Sequence, residues 1–450
     1  MKRVVAATLA VILILTLSQF ALAEDAARAP TRPVNSEIVY LFNLDEGTII
    51  FEQNADMPAY PASLVKIMTA ILAIENTPDL RTLVTYPAYV QNYLFDYQVR
   101  YGVSISLGGM RAGEEMPMSS LLYGLMLQSA NEIAMIIADH VGGGQAEFVE
   151  MMNTRARQLG AMSTNFTNAT GLPDPEMLTT ARDMAIITRH AIGLPGFMDI
   201  VTATSYVAGP TNIHNRLEWS TTVTMQVPTS RFFYPHIRGI KTGTTPQAGR
   251  NFISTATRDG FTYLLVLMGA PLLNPETGGL LDEHYAFVDA HNIYEWAFDT
   301  FRLLPLVERN MTIHEIPLRL NANQDFLRLE TADRLTALMA RDIDLASALT
   351  FVYDLPESVD APVQRGDHIG YVQLLLYGRP MGRVELLAAE TVAASRLLVL
   401  FEQIRAVVSS FWFRFGVIFV FLLIILYTVL MIIRNKNRQR RQAYKPRRRI

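Results

Sequence analysis

The chain of 450 residues is 50% hydrophobic and 18% charged, too apolar for a disordered chain and too charged for a polytopic channel, which suits two domains plus membrane segments. Its net charge of −3 conceals an asymmetry: residues 24–410 carry 27 basic against 42 acidic side chains, a balance of −15, while Arg434 to Ile450 hold nine Lys or Arg and no acid. So acidic a body excludes nucleic acid as a partner, and the absence of cysteine excludes thiol catalysis, disulfides, iron-sulfur clusters and cysteine-ligated zinc.

Met1-Lys2-Arg3, an apolar run from Val4 to Phe20 and Ala21-Leu22-Ala23 before Glu24 have the order of a secretory signal peptide, with small residues at positions −3 and −1 of a cleavage point after Ala23. An uncleaved anchor is the other reading of residues 1–23. Residues 24–36 form a proline-containing leader or linker without periodicity. The first domain, residues 37–303, begins with a predicted two-stranded hairpin turning at Leu44-Asp45-Glu46. Helical patterns follow at Leu64 to Ile74, Met118 to Val141 and Glu147 to Leu159. Strands return at Asn251 to Thr257 and Thr262 to Met268, around Arg258-Asp259-Gly260. Strands at both ends with helices between them imply an α+β domain rather than repeated βαβ units.

Residues 304–391 read as a small antiparallel β-rich domain. Its short strands run Ile313 to Leu320, Phe326 to Leu329, Leu349 to Tyr353, and Tyr371 to Tyr377 turning through Gly378-Arg379-Pro380 into Gly382 to Leu386. Residues 392–414 carry a helical apolar stripe (Leu397, Leu398, Phe401, Ile404, Val408), read as a connector or a lipid-surface helix. Phe415 to Ile433 is an uninterrupted apolar stretch, roughly 28 Å long as a helix and therefore a transmembrane helix. By the positive-inside rule the basic tail 434–450 is cytoplasmic and the acidic body lies outside the cytoplasm. The tail also suits anionic lipid, although a topology stop explains it more simply.

Three short motifs carry the candidate chemistry: Ser63-Leu64-Val65-Lys66, Ser129-Ala130-Asn131 and Lys241-Thr242-Gly243. In a chain this long roughly two S-x-x-K matches and about one S-x-N arise by chance, but only about 0.1 Lys-Thr-Gly. Ser63 follows Pro61-Ala62 and opens a helical pattern, so Lys66, three residues on, shares its face. A lysine desolvated or crowded by another cation loses its proton more readily and can act as a base. The helix N-terminus offers N–H groups and positive dipole to an oxyanion. The plainer alternative is an N-cap serine beside a surface lysine. Ser129 and Asn131 lie in an apolar stretch, either as a satisfied core pair or as a proton-relaying hydroxyl and an amide that holds a substrate carbonyl. Lys241-Thr242-Gly243 is either a turn or an edge strand where a peptide pairs with the backbone while lysine and hydroxyl meet a carboxylate. The eight histidines include no H-x-H or H-x-x-x-H pair, so neither a metal nor any other cofactor is expected.

This ordered set resembles the active-site signature of penicillin-binding proteins and serine β-lactamases. The flanks Pro61 to Ala70, Gly171-Leu172-Pro173-Asp174-Pro175 with Thr179 to Asp183, Gly239 to Gly249 and Ala361 to Val392 resemble one branch, the low-molecular-mass penicillin-binding proteins or serine-type D-alanyl-D-alanine carboxypeptidases. The resemblance implies an α+β transpeptidase-like domain, a β-rich domain and a C-terminal anchor. That anchor is commonly an amphipathic helix in the family, where this chain has a full span.

The resemblance further implies that Ser63 attacks the bond between the last two D-alanines of a peptidoglycan stem peptide, with Lys66 as base and Ser129 passing a proton to the leaving D-alanine. Backbone N–H groups of Ser63 and Thr244 form the oxyanion hole, Lys241 and Thr242 hold the terminal carboxylate, Asn131 holds the peptide, and Gly243 belongs to the same substrate-binding strand. Thr244 stands where some members have histidine, and β-lactams are the implied covalent inhibitors. Two rival readings are a β-lactamase, whose water-activating glutamate has its nearest candidate in Glu176 with Thr180 where an asparagine is wanted, and a non-catalytic wall-binding scaffold.

Overall fold

The computed structural model describes residues 29–101, 104–341 and 343–443; the predicted signal peptide 1–23 and the end of the basic tail lie outside them. The chain divides into two compact units at Phe301/Arg302.

The first unit is built on a five-stranded antiparallel sheet. Strand β1 (Ile38–Asn43) pairs with β2 (Thr48–Gln53) on one side. The turn between them falls at the expected Leu44-Asp45-Glu46 and closes through Gly47 in the left-handed region at φ 66°. The remaining strands are β3 (Ile237–Thr245), β4 (Gly249–Arg258) and β5 (Phe261–Ala270), and the spatial order is β2-β1-β5-β4-β3. The β4–β5 turn is the predicted Asp259-Gly260 pair, both residues at positive φ, the conformation a tight hairpin demands. Strand β1 is buried along its whole length, which explains its continuous apolar run: a strand covered on both faces has no polar alternation.

One face of the sheet packs against helices that share a single core with Ile38, Tyr40, Phe42, Ile253, Leu264, Val266 and Met268. At the centre of that core is α1 (Lys66–Asn76), whose residues from Lys66 to Ala73 are all buried. A helix covered all round is held by side-chain contacts on every side and has little room to shift. The expected single helix from Met118 to Val141 is in fact two, α2 (Met118–Met126) and α3 (Asn131–Gly142). They are separated by a tight turn in which Ser129 takes a left-handed conformation at φ 58°. The 3.6-residue periodicity continues through the break because Leu127 and Ala130 are buried too, so hydrophobic patterning could not reveal it. Further helices were missed in the sequence: α4 (Ala181–Ile192), capped by Thr180 Oγ1 accepting from the Asp183 amide, α5 (Tyr285–Thr300), and the helices Ala88–Tyr101 and Phe197–Thr202. Helix α5 lies against β4 and β5, with Phe287 edge-on to Phe252 and Tyr294 hydrogen-bonded to Ser254.

The second unit holds a six-stranded sheet around a core that includes Ile316, Leu327, Leu329, Val372, Leu374 and Leu386. Its longest hairpin, His368–Leu376 with Arg379–Ala388, turns at Tyr377-Gly378, both at positive φ, and the strand resumes at Arg379, one residue before the proline expected in the turn. The unit continues into helix α6 (Arg396–Ser409), none of whose residues is buried, and α7 (Phe411–Ala443). Within α7, Phe411–Arg438 is long and apolar enough to cross a membrane, its most apolar 18 residues having a mean hydropathy of 3.1.

Candidate active site

The three motifs converge in the first unit. Ser63 sits in a short 3-10 turn, Ala62–Val65, that runs into α1. The turn is entered through Ala62 at φ 49°, so a left-handed non-glycine residue precedes Ser63, and Ser129 is itself another. Such residues cost of order 1–3 kcal/mol, are held only by their surroundings and gather at functional sites.

Two glycines make the approach to this turn possible. A side chain on Gly243 of β3 would place its Cβ 3.0 Å from the Pro61 carbonyl oxygen and 3.2 Å from the Ser63 amide nitrogen. One on Gly171 would be 2.1 Å from the Ala62 carbonyl oxygen. Gly171 also needs its φ of 81°. Gly171→Ala is therefore expected to destabilise the protein by about 2–4 kcal/mol and to slow acylation at Ser63 by displacing the neighbouring Thr170. Thermal unfolding and acylation rates unchanged from the parent would refute that reading.

Lys66 is fully buried, and its Nζ reaches three oxygens: Ser63 Oγ at 3.1 Å, Asn131 Oδ1 at 2.9 Å, and the Thr170 carbonyl through a short hydrogen bond. The Asn131 amide is oriented by donating from Nδ2 to the Ser106 carbonyl at 3.0 Å, which leaves Oδ1 for the lysine. Burial depresses the Lys66 pKa well below the usual lysine range, and the nearby Lys241 charge adds to the effect while Glu132 opposes it. The three contacts suit a neutral amine. Asn131 Oδ1 and Thr170 O can only accept, so a neutral amine would give them its two N–H groups and keep its lone pair for the Ser63 hydroxyl.

Lys241 is also fully buried and donates to the Thr242 carbonyl at 3.0 Å. Desolvation brings its pKa down to about 7. Thr242 Oγ1 donates to Thr222 Oγ1 at 2.7 Å, and Thr244 lies exposed two residues beyond Thr242 on β3. Ser129, 7% exposed, is held in the α2–α3 turn two residues before the Asn131 that Lys66 contacts. Beside the Ser63 turn is a cavity of about 160 Å³, walled by Tyr60, Pro61, Ala62, the 171–175 segment and Thr245. Glu176 is exposed and does not line it, and Thr180 is occupied as a helix cap. Thr170, Ser106, Thr222 and Glu132 were not singled out from the sequence. Only the Gly171-Leu172-Pro173 flank pointed near any of them. Among the described residues no group of His, Asp or Glu could hold a metal ion.

Comparison with known proteins bears on the family and the fold. A sequence profile for D-alanyl-D-alanine carboxypeptidase, the peptidase S11 family, matches residues 24–272. The chain is 26% identical to the D-alanyl-D-alanine carboxypeptidase DacF of Bacillus subtilis, over 88% of this chain and 94% of that one. It is 28% identical to DacA of Haemophilus influenzae, over 82% and 89%. Among solved structures, the fold is like that of penicillin binding protein 5 from Haemophilus influenzae, with a TM-score of 0.57, 24% identity and coverage of 81% and 99%. The match to penicillin binding protein 6B from Escherichia coli has a TM-score of 0.59, 20% identity and coverage of 80% and 98%. A serine hydroxyl in contact with a buried lysine one helical turn on, on a fold and a sequence matched over most of their length, places this chain in the D-alanyl-D-alanine carboxypeptidase family of serine-type peptidases, peptidase S11.

Proposed function

We propose that Ser63 is the nucleophile, with Lys66 as its base and Ser129 as the relay that returns the proton. In this reading Ser63 Oγ attacks the carbonyl carbon of the penultimate D-alanine of a stem pentapeptide, and its proton passes to Lys66 Nζ. The oxyanion forms against the Ser63 and Thr244 amides, each such donor contributing roughly 3–4 kcal/mol. The C–N bond then breaks as Ser129 delivers a proton to the departing amine. Water attacks the Ser63 ester, releases the shortened peptide and restores the hydroxyl, so a difficult amide cleavage becomes two easier steps. Lys241, Thr242 and Gly243 receive the terminal carboxylate, and Asn131 the peptide. The observation that carries this reading is the contact set of Lys66, whose buried amine meets Ser63 Oγ in surroundings that lower its pKa.

Intact-protein mass measurement after exposure to penicillin, together with D-alanine release from a muramyl pentapeptide, tests the proposal. A persistent adduct on Ser63 and released D-alanine are expected. Rapid turnover of penicillin would instead favour a β-lactamase, and binding without either product a scaffold. Helix α7 serves in this reading as the membrane anchor, with the acidic body outside the cytoplasm and the basic tail within.

The pH dependence follows from the two lysines. Lys66 must be neutral to accept a proton, so kcat/KM falls on the acid side as Lys66 becomes charged. Lys241 must be charged to hold a carboxylate, so kcat/KM falls again above about pH 7, where the free enzyme gives up that proton. A Lys241→Arg variant keeps its charge and should lose the alkaline limb; an alkaline limb that survives would contradict the assignment.

A further inference from the structure

The mechanism above makes no use of Glu132, which directly follows Asn131 at the start of α3 and is 1% exposed. Its Oε1 accepts from the backbone amides of Gly108 and, at 2.9 Å, Gly109. The same loop is gripped from the other side by Trp219, whose Nε1 donates to the Gly108 carbonyl at 2.8 Å. Gly108 has no room for a side chain, since a Cβ would stand 3.2 Å from Glu132 Oε1 and 2.9 Å from Ile133 Cδ1. Two residues earlier, the Ser106 carbonyl accepts from both the Asn131 amide nitrogen at 2.9 Å and Asn131 Nδ2 at 3.0 Å. Ser106 Oγ ties back to the Gln128 carbonyl at 2.6 Å, at the edge of the Ser129 turn.

These contacts form one chain from a buried carboxylate to the catalytic amine. Asn131 is nearly symmetric in shape, and its oxygen faces Lys66 only because Ser106 claims its nitrogen. Ser106 holds that place only while its loop is anchored. We propose that Glu132 is a positioning residue for acylation: its grip on the Gly108 and Gly109 amides fixes the Ser106 carbonyl, which turns the Asn131 oxygen toward Lys66. This rests on the reading of Lys66 as the base.

Glu132 also bears on the proton at Lys66. The titratable groups facing it are Lys66 on α1, Tyr86 on the preceding loop and, through Lys66, Lys241 on β3. Its own pKa is raised by burial to about 7, and Oε2 has no hydrogen-bond partner. A charged Glu132 favours the ammonium form of Lys66. Removing that charge should therefore make Lys66 easier to deprotonate.

The test is a mutant cycle on the full chain, read as the second-order rate of penicillin acylation from pH 5 to 10. Glu132→Ala and Asn131→Ala are each expected to slow acylation about 30-fold or more, and the double variant to be no slower than Asn131→Ala alone, because residues acting through one contact are not additive. Glu132→Gln keeps an acceptor for both amides and should retain a rate within about threefold of the parent. Additive losses in the cycle, or a folded Glu132→Ala that acylates at the parental rate, would overturn the proposal. If Glu132→Ala does not fold, Glu132→Gln decides alone: a rate as low as that of Asn131→Ala overturns it. A parent protein that forms no Ser63 adduct would refute the proposed function instead, so the two failures are distinguishable.

Discussion

A Ser63→Ala variant is expected to release no measurable D-alanine and to form no penicillin adduct, a loss of about 10⁶ in kcat, the scale on which serine peptidases respond to deletion of the nucleophile. The substitution removes one oxygen from a turn whose neighbours Leu64 and Val65 are fully buried, so the fold has no reason to change. Among the described residues Ser63 Oγ is hydrogen-bonded to Lys66 Nζ alone, so its loss should leave the unfolding temperature within a few degrees of the parent. Activity and stability thus separate. Mass measurement reads the adduct and calorimetry the fold. Undiminished D-alanine release by this variant would reject the nucleophile assignment outright.

The second large effect is expected at Lys66. Replacing it by arginine keeps a cation of similar length but removes any ability to accept a proton, since a guanidinium stays charged in proteins. Acylation should fall by about 10⁴-fold or more, the range expected when a residue of a catalytic unit is removed. The guanidinium is also wider than an amine that already meets three oxygens, so Lys66→Ala is the companion variant. If base strength rather than steric fit is the cause, both variants lose comparable rate, and adding Ser63→Ala to either costs nothing further. A Lys66→Arg enzyme that retained a tenth of the parental acylation rate would show that proton transfer does not run through position 66.

The contrast between these residues and the Glu132 network shows what was legible beforehand. Ser63 and Lys66 could be paired from spacing alone, because three residues on a helix always share a face. The β4–β5 turn at Asp259-Gly260 and the hairpin near Gly378 were legible because tight turns restrict composition. The α2–α3 break was not, since a serine at positive φ has no compositional mark and buried residues continue across it. Helix α5 lies inside the predicted domain 37–303 but was missed, because its buried positions, among them Ala286, Phe287, Asp289, Ala290, Ile293, Tyr294 and Trp296, mix small, acidic and aromatic residues and leave no clean apolar stripe.

Residue identity settled the chemistry available to this protein: a hydroxyl and an amine one turn apart, a second lysine on a glycine-bearing strand, no cysteine, and a C-terminal helix apolar enough to span a bilayer. Which groups meet, and in what charge state, was decided by the tertiary structure. The Thr170 carbonyl, the Ser106 carbonyl and the Gly108–Gly109 amides are backbone groups that every sequence contains, so nothing in their side chains announces them. The proton affinity of Lys66 depends on the walls of α1, α3 and β3 closing around it together, because desolvation is a property of the enclosure and not of the lysine.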